Sequence, residues 1–202
     1  MIEIKELTKI YDNKVIFDHF NLRINKGDFF IISGVSGKGK TTLLNIIGGL
    51  EKAEKGIVLV KGQDVLKMKN KRKYFGQVVG FLFQNFVLLE NKTVYDNLKL
   101  IKKENRSDIS MEKALDLVGM KDSINRKIYT LSGGEQQRIA LARLLLKKCD
   151  VVLADEPTGS LDKTNKFIVM NLLKKMNKMG KTIIMVTHDE ELIQKGNKVL
   201  EL

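Results

Sequence analysis

The residues best equipped for chemistry fall into a few short runs. Gly34-Val35-Ser36-Gly37-Lys38-Gly39-Lys40-Thr41 fits the pattern G-x-x-x-x-G-K-[ST]. Its glycines permit the backbone conformations that turn successive N–H groups toward one anion. Lys40 is spaced to reach the β- and γ-phosphates of a nucleotide, and the Thr41 hydroxyl to ligate Mg²⁺. Thr42 follows in the first turn of an expected helix, within reach of the α-phosphate. Lys38 adds a second cation inside the loop; the spacing gives it no role of its own, and pointing to solvent is its simplest fate.

Leu131-Ser132-Gly133-Gly134-Glu135-Gln136-Gln137-Arg138 is a second run of this kind. Ser132 and Glu135 have the spacing of a capping box at a helix start. The glycines leave backbone N–H groups unblocked at the positive end of the helix dipole, which suits a phosphate. Two phosphate-facing surfaces then serve either one nucleotide or two.

Carboxylates come next. Val151-Val152-Leu153-Ala154-Asp155-Glu156-Pro157 is an apolar strand ending in two acids, and strand ends are where parallel α/β sheets place their chemistry. Asp155 is positioned to hold Mg²⁺, directly or through water. Glu156 points elsewhere along the bend and can polarise an attacking water. Gln84 follows the strand-like run Gly80-Phe81-Leu82-Phe83, where its amide can contact Mg²⁺ or the water, or simply leave a strand. His188 follows Ile183 to Thr187; it either donates a hydrogen bond to the γ-phosphate or is a structural histidine. His19 and the single cysteine, Cys149, read as structural.

Positioning these groups takes a parallel sheet with helices between its strands. Phe29-Phe30-Ile31-Ile32, Val151-Val152-Leu153-Ala154 and Ile183-Ile184-Met185-Val186 are continuously apolar, as strands buried on both faces are. Helical patterns run from Lys40 to Gly48, Glu135 to Lys148 and Leu161 to Met179. The fold class is therefore α/β. Ile2-Glu3-Ile4-Lys5 and Gly56 to Val60 alternate instead, which points to an antiparallel sheet beside the parallel one. Between about 91 and 130 the pattern turns helical and polar. Thr93 and Ser110 read as helix N-caps there and Gly119 as a helix stop, so a small helical subdomain is expected as an insertion.

The length, 202 residues, suits one domain over 1–202 with a sizeable core. A hydrophobic share of 43% and a charged share of 30% fit a globular protein. No apolar run reaches the roughly 18 residues that span a bilayer, and the N-terminus lacks a secretory pattern. A lone cysteine fits a reducing cytoplasm. The net charge of +12 is mostly scattered lysine, densest over Lys67-Met68-Lys69-Asn70-Lys71-Arg72-Lys73. That run is either a solvated face or one near an anionic membrane. Aromatics do not interleave with it, so no nucleic-acid partner is expected.

Taken in order, the phosphate loop, Gln84, Leu131 to Gln136, Asp155-Glu156 and His188 resemble the ATP-binding-cassette (ABC) ATPases over essentially the whole chain. The resemblance implies a P-loop NTPase fold: a RecA-like, mostly parallel core, an antiparallel β subdomain and an inserted helical subdomain. It implies ATP and Mg²⁺ as cofactors. It places Tyr11 against the adenine and Gly34 to Thr42, Ser36 and Gly37 included, around the phosphates. It makes Gln84, Glu156 and His188 the catalytic set, with Thr41, Gln84 and Asp155 at the metal. Ser132, Gly133 and Gly134, with Asp162 of the Ser160-Leu161-Asp162 segment, then touch a nucleotide held mainly by a second copy of the chain.

The resemblance further implies a separate transmembrane permease as partner and a place on the inner face of the cell membrane. Phe83-Gln84-Asn85-Phe86 with Leu88-Leu89, and Thr93 to Leu98, are similar to the bacterial lipoprotein-release, macrolide and antimicrobial-peptide export and cell-division subgroup. A soluble cassette protein or a regulatory cell-division type is the alternative. Lys38, where the family has a small residue, is a departure. The sequence stops almost at the last strand, so the C-terminal regulatory domains of some importers are not expected.

Overall fold

The computed structural model describes residues 1–159 and 161–202; Ser160 of the Ser160-Leu161-Asp162 segment lies outside them. Nine strands and six α-helices run in chain order: β1 Ile2–Tyr11, β2 Lys14–Ile24, β3 Phe29–Ser33, α1 Lys40–Gly48, β4 Lys55–Val60, β5 Gln63–Asp64, β6 Val79–Leu82, α2 Val94–Lys99, α3 Met111–Leu117, α4 Gly133–Leu146, β7 Val151–Asp155, α5 Lys163–Lys178, β8 Thr182–Val186, α6 Glu190–Ile193 and β9 Lys198–Glu201, among the described residues. A short π-helix, Tyr74–Val78, leads into β6.

The parallel sheet has the order β6-β7-β8-β3-β9. Its three central strands are buried throughout apart from the end of β7, and alternate residues serve opposite faces. Phe30, Ile32, Val151, Leu153, Ile184 and Val186 share a core with α1 and the antiparallel sheet β2-β1-β4-β5. Phe29, Ile31, Val152, Ala154, Ile183 and Met185 share the other core with α4 and α5. Continuous apolar runs were the right signature because each strand has to fill both cores.

Strand order decides what meets at the sheet's C-terminal edge. β8 lies between β3 and β7. The loop after β3, Glu156 after β7 and the residues after β8 therefore leave the sheet side by side. Backbone bonds tie them, from Glu156 N to Val186 O at 3.0 Å and from Thr187 N to Ile32 O at 3.2 Å.

Several boundaries shift from the sequence reading, each for a local reason. The fourth helix starts at Gly133 because Ser132 caps it. The fifth starts at Lys163 because the Asp162 side chain accepts from Asn165 N. The strand before Gln84 stops at Leu82, so Gln84 sits in the turn beyond it. Over 91–130, α2 and α3 are short, capped by Thr93 and Ser110, and Gly119 (φ +67°) follows α3. Their apolar residues Leu98 and Leu115 join the same buried cluster as α4. His19 is exposed, paired with Asp18 and far from burial. Cys149 is buried just before β7.

Candidate functional site

The start of α1 is built from loop conformations a side chain would oppose. Gly39 is its N-cap at φ +91°, with no side-chain capping bond. A Cβ there would lie 2.5 Å from Ile16 Cγ2. Gly34 takes φ +126°, and a Cβ would collide with the backbone oxygen of Leu202. The glycines are thus required by shape as well as by dihedral angle. Lys40 folds back over the loop and donates to the carbonyls of Gly34 at 2.7 Å and Val35 at 2.8 Å. Its ammonium occupies the middle of the turn, where a phosphate would replace those carbonyls as acceptor.

Below the loop, the Thr41 hydroxyl donates to Asp155 Oδ1 at 3.1 Å. Burial pushes the Asp155 carboxyl above its ordinary value, opposed by the Thr41 bond and reinforced by neighbouring Glu156. Glu156 adopts φ +44° directly before Pro157, a strained setting for a residue with a side chain. Its carboxylate meets His188 Nδ1 at 2.8 Å. The glutamate side chain is mostly sheltered and the imidazole mostly in solvent, 18% against 73% exposed. Gln84 borders the same turn, since a Cβ on Gly159 would lie 3.6 Å from Gln84 Nε2.

A cavity of about 1000 Å³, within the range of a nucleotide site, opens over the loop, Glu156 and His188, while Asp155 and Gln84 are not on its walls. Gly34, Ser36, Gly37, Gly39, Lys40, Thr41 and Thr42 line it, with Tyr11, Glu156 and His188 on its walls. Lys38 is exposed and off the wall. Ser132, Gly133, Gly134 and Asp162 also lie off it. They form their own cluster. Asn165 donates to Asp162 Oδ2 at 2.7 Å and accepts from Arg138 at 2.5 Å, and its amide packs where a Cβ on Gly134 would sit. Ser132 Oγ accepts from Glu135 N at 3.3 Å while Glu135 Oε2 accepts from Ser132 N at 2.8 Å.

Two links were not legible in the sequence. Arg143 of α4 donates to the carbonyls of Phe86 at 2.9 Å and Val87 at 2.6 Å. Those residues take φ +59° and +49°, so the turn after Gln84 is held against its preference. Gln137, fully buried, donates from Nε2 to Pro157 O at 2.7 Å. The first ties α4 to the turn after Gln84 and the second to the residue after Glu156, both through backbone carbonyls, which any residue type carries.

A glycine loop around an ammonium, next to strand-end carboxylates on a parallel sheet, defines a P-loop NTPase. The family model described as "ABC transporter" matches residues 17–159. An uncharacterized ABC transporter ATP-binding protein of Methanocaldococcus jannaschii, MJ1508, is 40% identical over 100% of this chain and 95% of its own length. The macrolide export ATP-binding/permease protein MacB of Bdellovibrio bacteriovorus is 37% identical, over 100% of this chain and 32% of its own. Among solved structures, the ATP-binding cassette MJ0796, a dimer in a post-hydrolysis state bound to ADP and Pi, superposes with a TM-score of 0.86. It is 33% identical over 100% of this chain and 94% of that one. The chain belongs to the ABC transporter family, as an ATP-binding ATPase cassette. Among the described residues no helix is long and apolar enough to cross a membrane.

Proposed function

We propose that this cassette hydrolyses ATP with Mg²⁺ to drive a separate membrane permease, working as two copies that face each other on the inner face of the membrane. The cargo we infer is a peptide, bacteriocin or lipid-like molecule, moved outward. The export reading rests on the likeness to MacB along the whole cassette, set against a comparable likeness to the methionine import protein MetN. Residues 1–202 act in it as one unit, with about 91–130 as an inserted helical part facing the permease.

One observation carries the hydrolytic role: Glu156, held in strained backbone on the cavity wall, is hydrogen-bonded to His188. Glu156 takes the proton of the attacking water. His188 orients that carboxylate and donates toward the γ-phosphate. Lys40 and the loop amides of Gly34, Ser36, Gly37, Gly39 and Thr42 hold the phosphates, and Tyr11 stacks on the base. Thr41, Asp155 and Gln84 offer hydroxyl, carboxylate and amide oxygen, a donor set that fits Mg²⁺. Held by these three residues, Mg²⁺ would supply neutralisation of charge on the phosphates. Ser132, Gly133, Gly134 and Asp162 serve the nucleotide of the second copy in this reading, supported by the dimeric form of the similar cassette MJ0796.

The test is Glu156→Gln. ATP should still bind, turnover should fall by about 100-fold or more, and size-exclusion chromatography with ATP should show a dimer. Persistent turnover from a monomer would remove Glu156 as the base.

A further inference from the structure

Lys9 is a lysine where the strand pattern expects surface. Irregular pairing on both sides of it leaves Leu7, Thr8 and Lys9 buried in succession, and only 6% of its side chain is exposed. Its Nζ donates to Glu51 Oε1 at 2.9 Å and to Glu54 Oε1 at 3.4 Å. The other Glu54 oxygen accepts from Ile10 N at 2.8 Å, and Glu54 N donates to Thr8 O at 3.0 Å. Both glutamates follow the C-terminus of α1, with Glu51 N donating to Asn45 O. Burial opposes the charge on Lys9, but the bond to Glu51 and the fields of Glu51 and Glu54 outweigh it and hold the ammonium above its ordinary value. A buried charge of this kind costs stability unless held so closely.

The ammonium stands 4.3 Å from the centroid of the Tyr11 ring. Tyr11 is two residues on along the same strand and reaches the cavity wall; Lys9 does not line the cavity. One face of the ring is therefore taken from inside the protein.

We propose that Lys9 is a positioning residue for base recognition: held by Glu51 and Glu54, it presses on one face of Tyr11 and fixes the ring so that its other face receives a purine. This rests on the reading of Tyr11 as the base-stacking residue. Without the cation, a ring that is 40% exposed keeps its own torsional freedom and has to be ordered by the ligand. The cation–π contact is of the size that sets an affinity change of about 5-fold.

The experiment compares ATP with inorganic tripolyphosphate, which has phosphates and no base, by calorimetric titration of the full chain. Lys9→Met should weaken ATP about 5-fold and leave tripolyphosphate unchanged, and Lys9→Arg should restore ATP. Added to Tyr11→Ala, Lys9→Met should cost nothing more. If Lys9→Met alone fails to fold, Lys9→Met with Glu51→Gln and Glu54→Gln removes the stranded charges and carries the same expectation. Equal losses for both ligands, or a full further loss on top of Tyr11→Ala, would overturn the role of Lys9 alone. No effect of Tyr11→Ala on ATP would overturn the base-stacking reading and this proposal with it.

Discussion

Two helix starts in this molecule look alike in the sequence and differ in the structure. Both have glycines at the start, before the first turn in α1 and within it in α4, and both point a positive dipole end outward. The N-cap of α1 is Gly39, with no side chain to offer. Its first-turn amides are left for a ligand, and Lys40 makes do with the loop's own carbonyls. The α4 start is closed by the Ser132–Glu135 box, and Arg126 holds Glu135 from outside at 3.0 Å. That box takes the amides of Ser132 and Glu135 and leaves those of Gly133 and Gly134. A helix start without its own cap is a binding site in waiting. A capped one is a finished edge, with room for a second molecule to add a contact.

The sharpest way to break this comparison is at Lys40. Lys40→Ala should reduce ATP affinity by about 100-fold or more, since it removes the ammonium held over the loop carbonyls; an unchanged calorimetric Kd would show that the amides suffice. Ser132→Arg should leave ATP binding to the isolated chain intact while abolishing turnover. Mixed with Lys40→Ala chains, it should recover at most one working site per dimer. Wild-type turnover in that mixture would mean that each chain completes its own site.

Smaller effects should follow from the caps themselves. Ser132→Ala should cost about 1 kcal/mol of stability, as the loss of an N-cap does, read by urea unfolding; no change would mean the box contributes nothing to folding. The smallest effect concerns Asp155. Burial raises its carboxyl above 3.8, so its folded form prefers the proton. The sign follows directly: its contribution to stability is fully present below the unfolded value and is lost as pH rises through the folded one. Asp155→Asn should therefore raise the ligand-free Tm at pH 7 by about 1–3 °C, with the gain vanishing toward pH 3. A fall in Tm would show that the Thr41 bond outweighs burial.

Legibility followed the range of the forces involved. The phosphate loop, the Ser132–Glu135 box and the three buried strands were readable because each is set by neighbours within a few residues. The boundary at Gln84 was not. Its turn is held by Arg143, and two non-glycine residues at positive φ leave no mark in composition. Lys9 gave no signal either, since only the irregular pairing of β1 turns it inward.

The sequence by itself determined which groups are available: an ammonium in a glycine loop, hydroxyls beside it, two carboxylates after an apolar run, and a capped helix elsewhere. These are local, because loop dihedrals, caps and alternation depend on adjacent side chains. Only the tertiary structure decided that β8 lies between β3 and β7, so that Glu156 meets His188 beside Lys40. It also decided that the glycines of α4 lie off that cavity. Strand order is fixed by how two cores are filled at once, and no single segment carries that information.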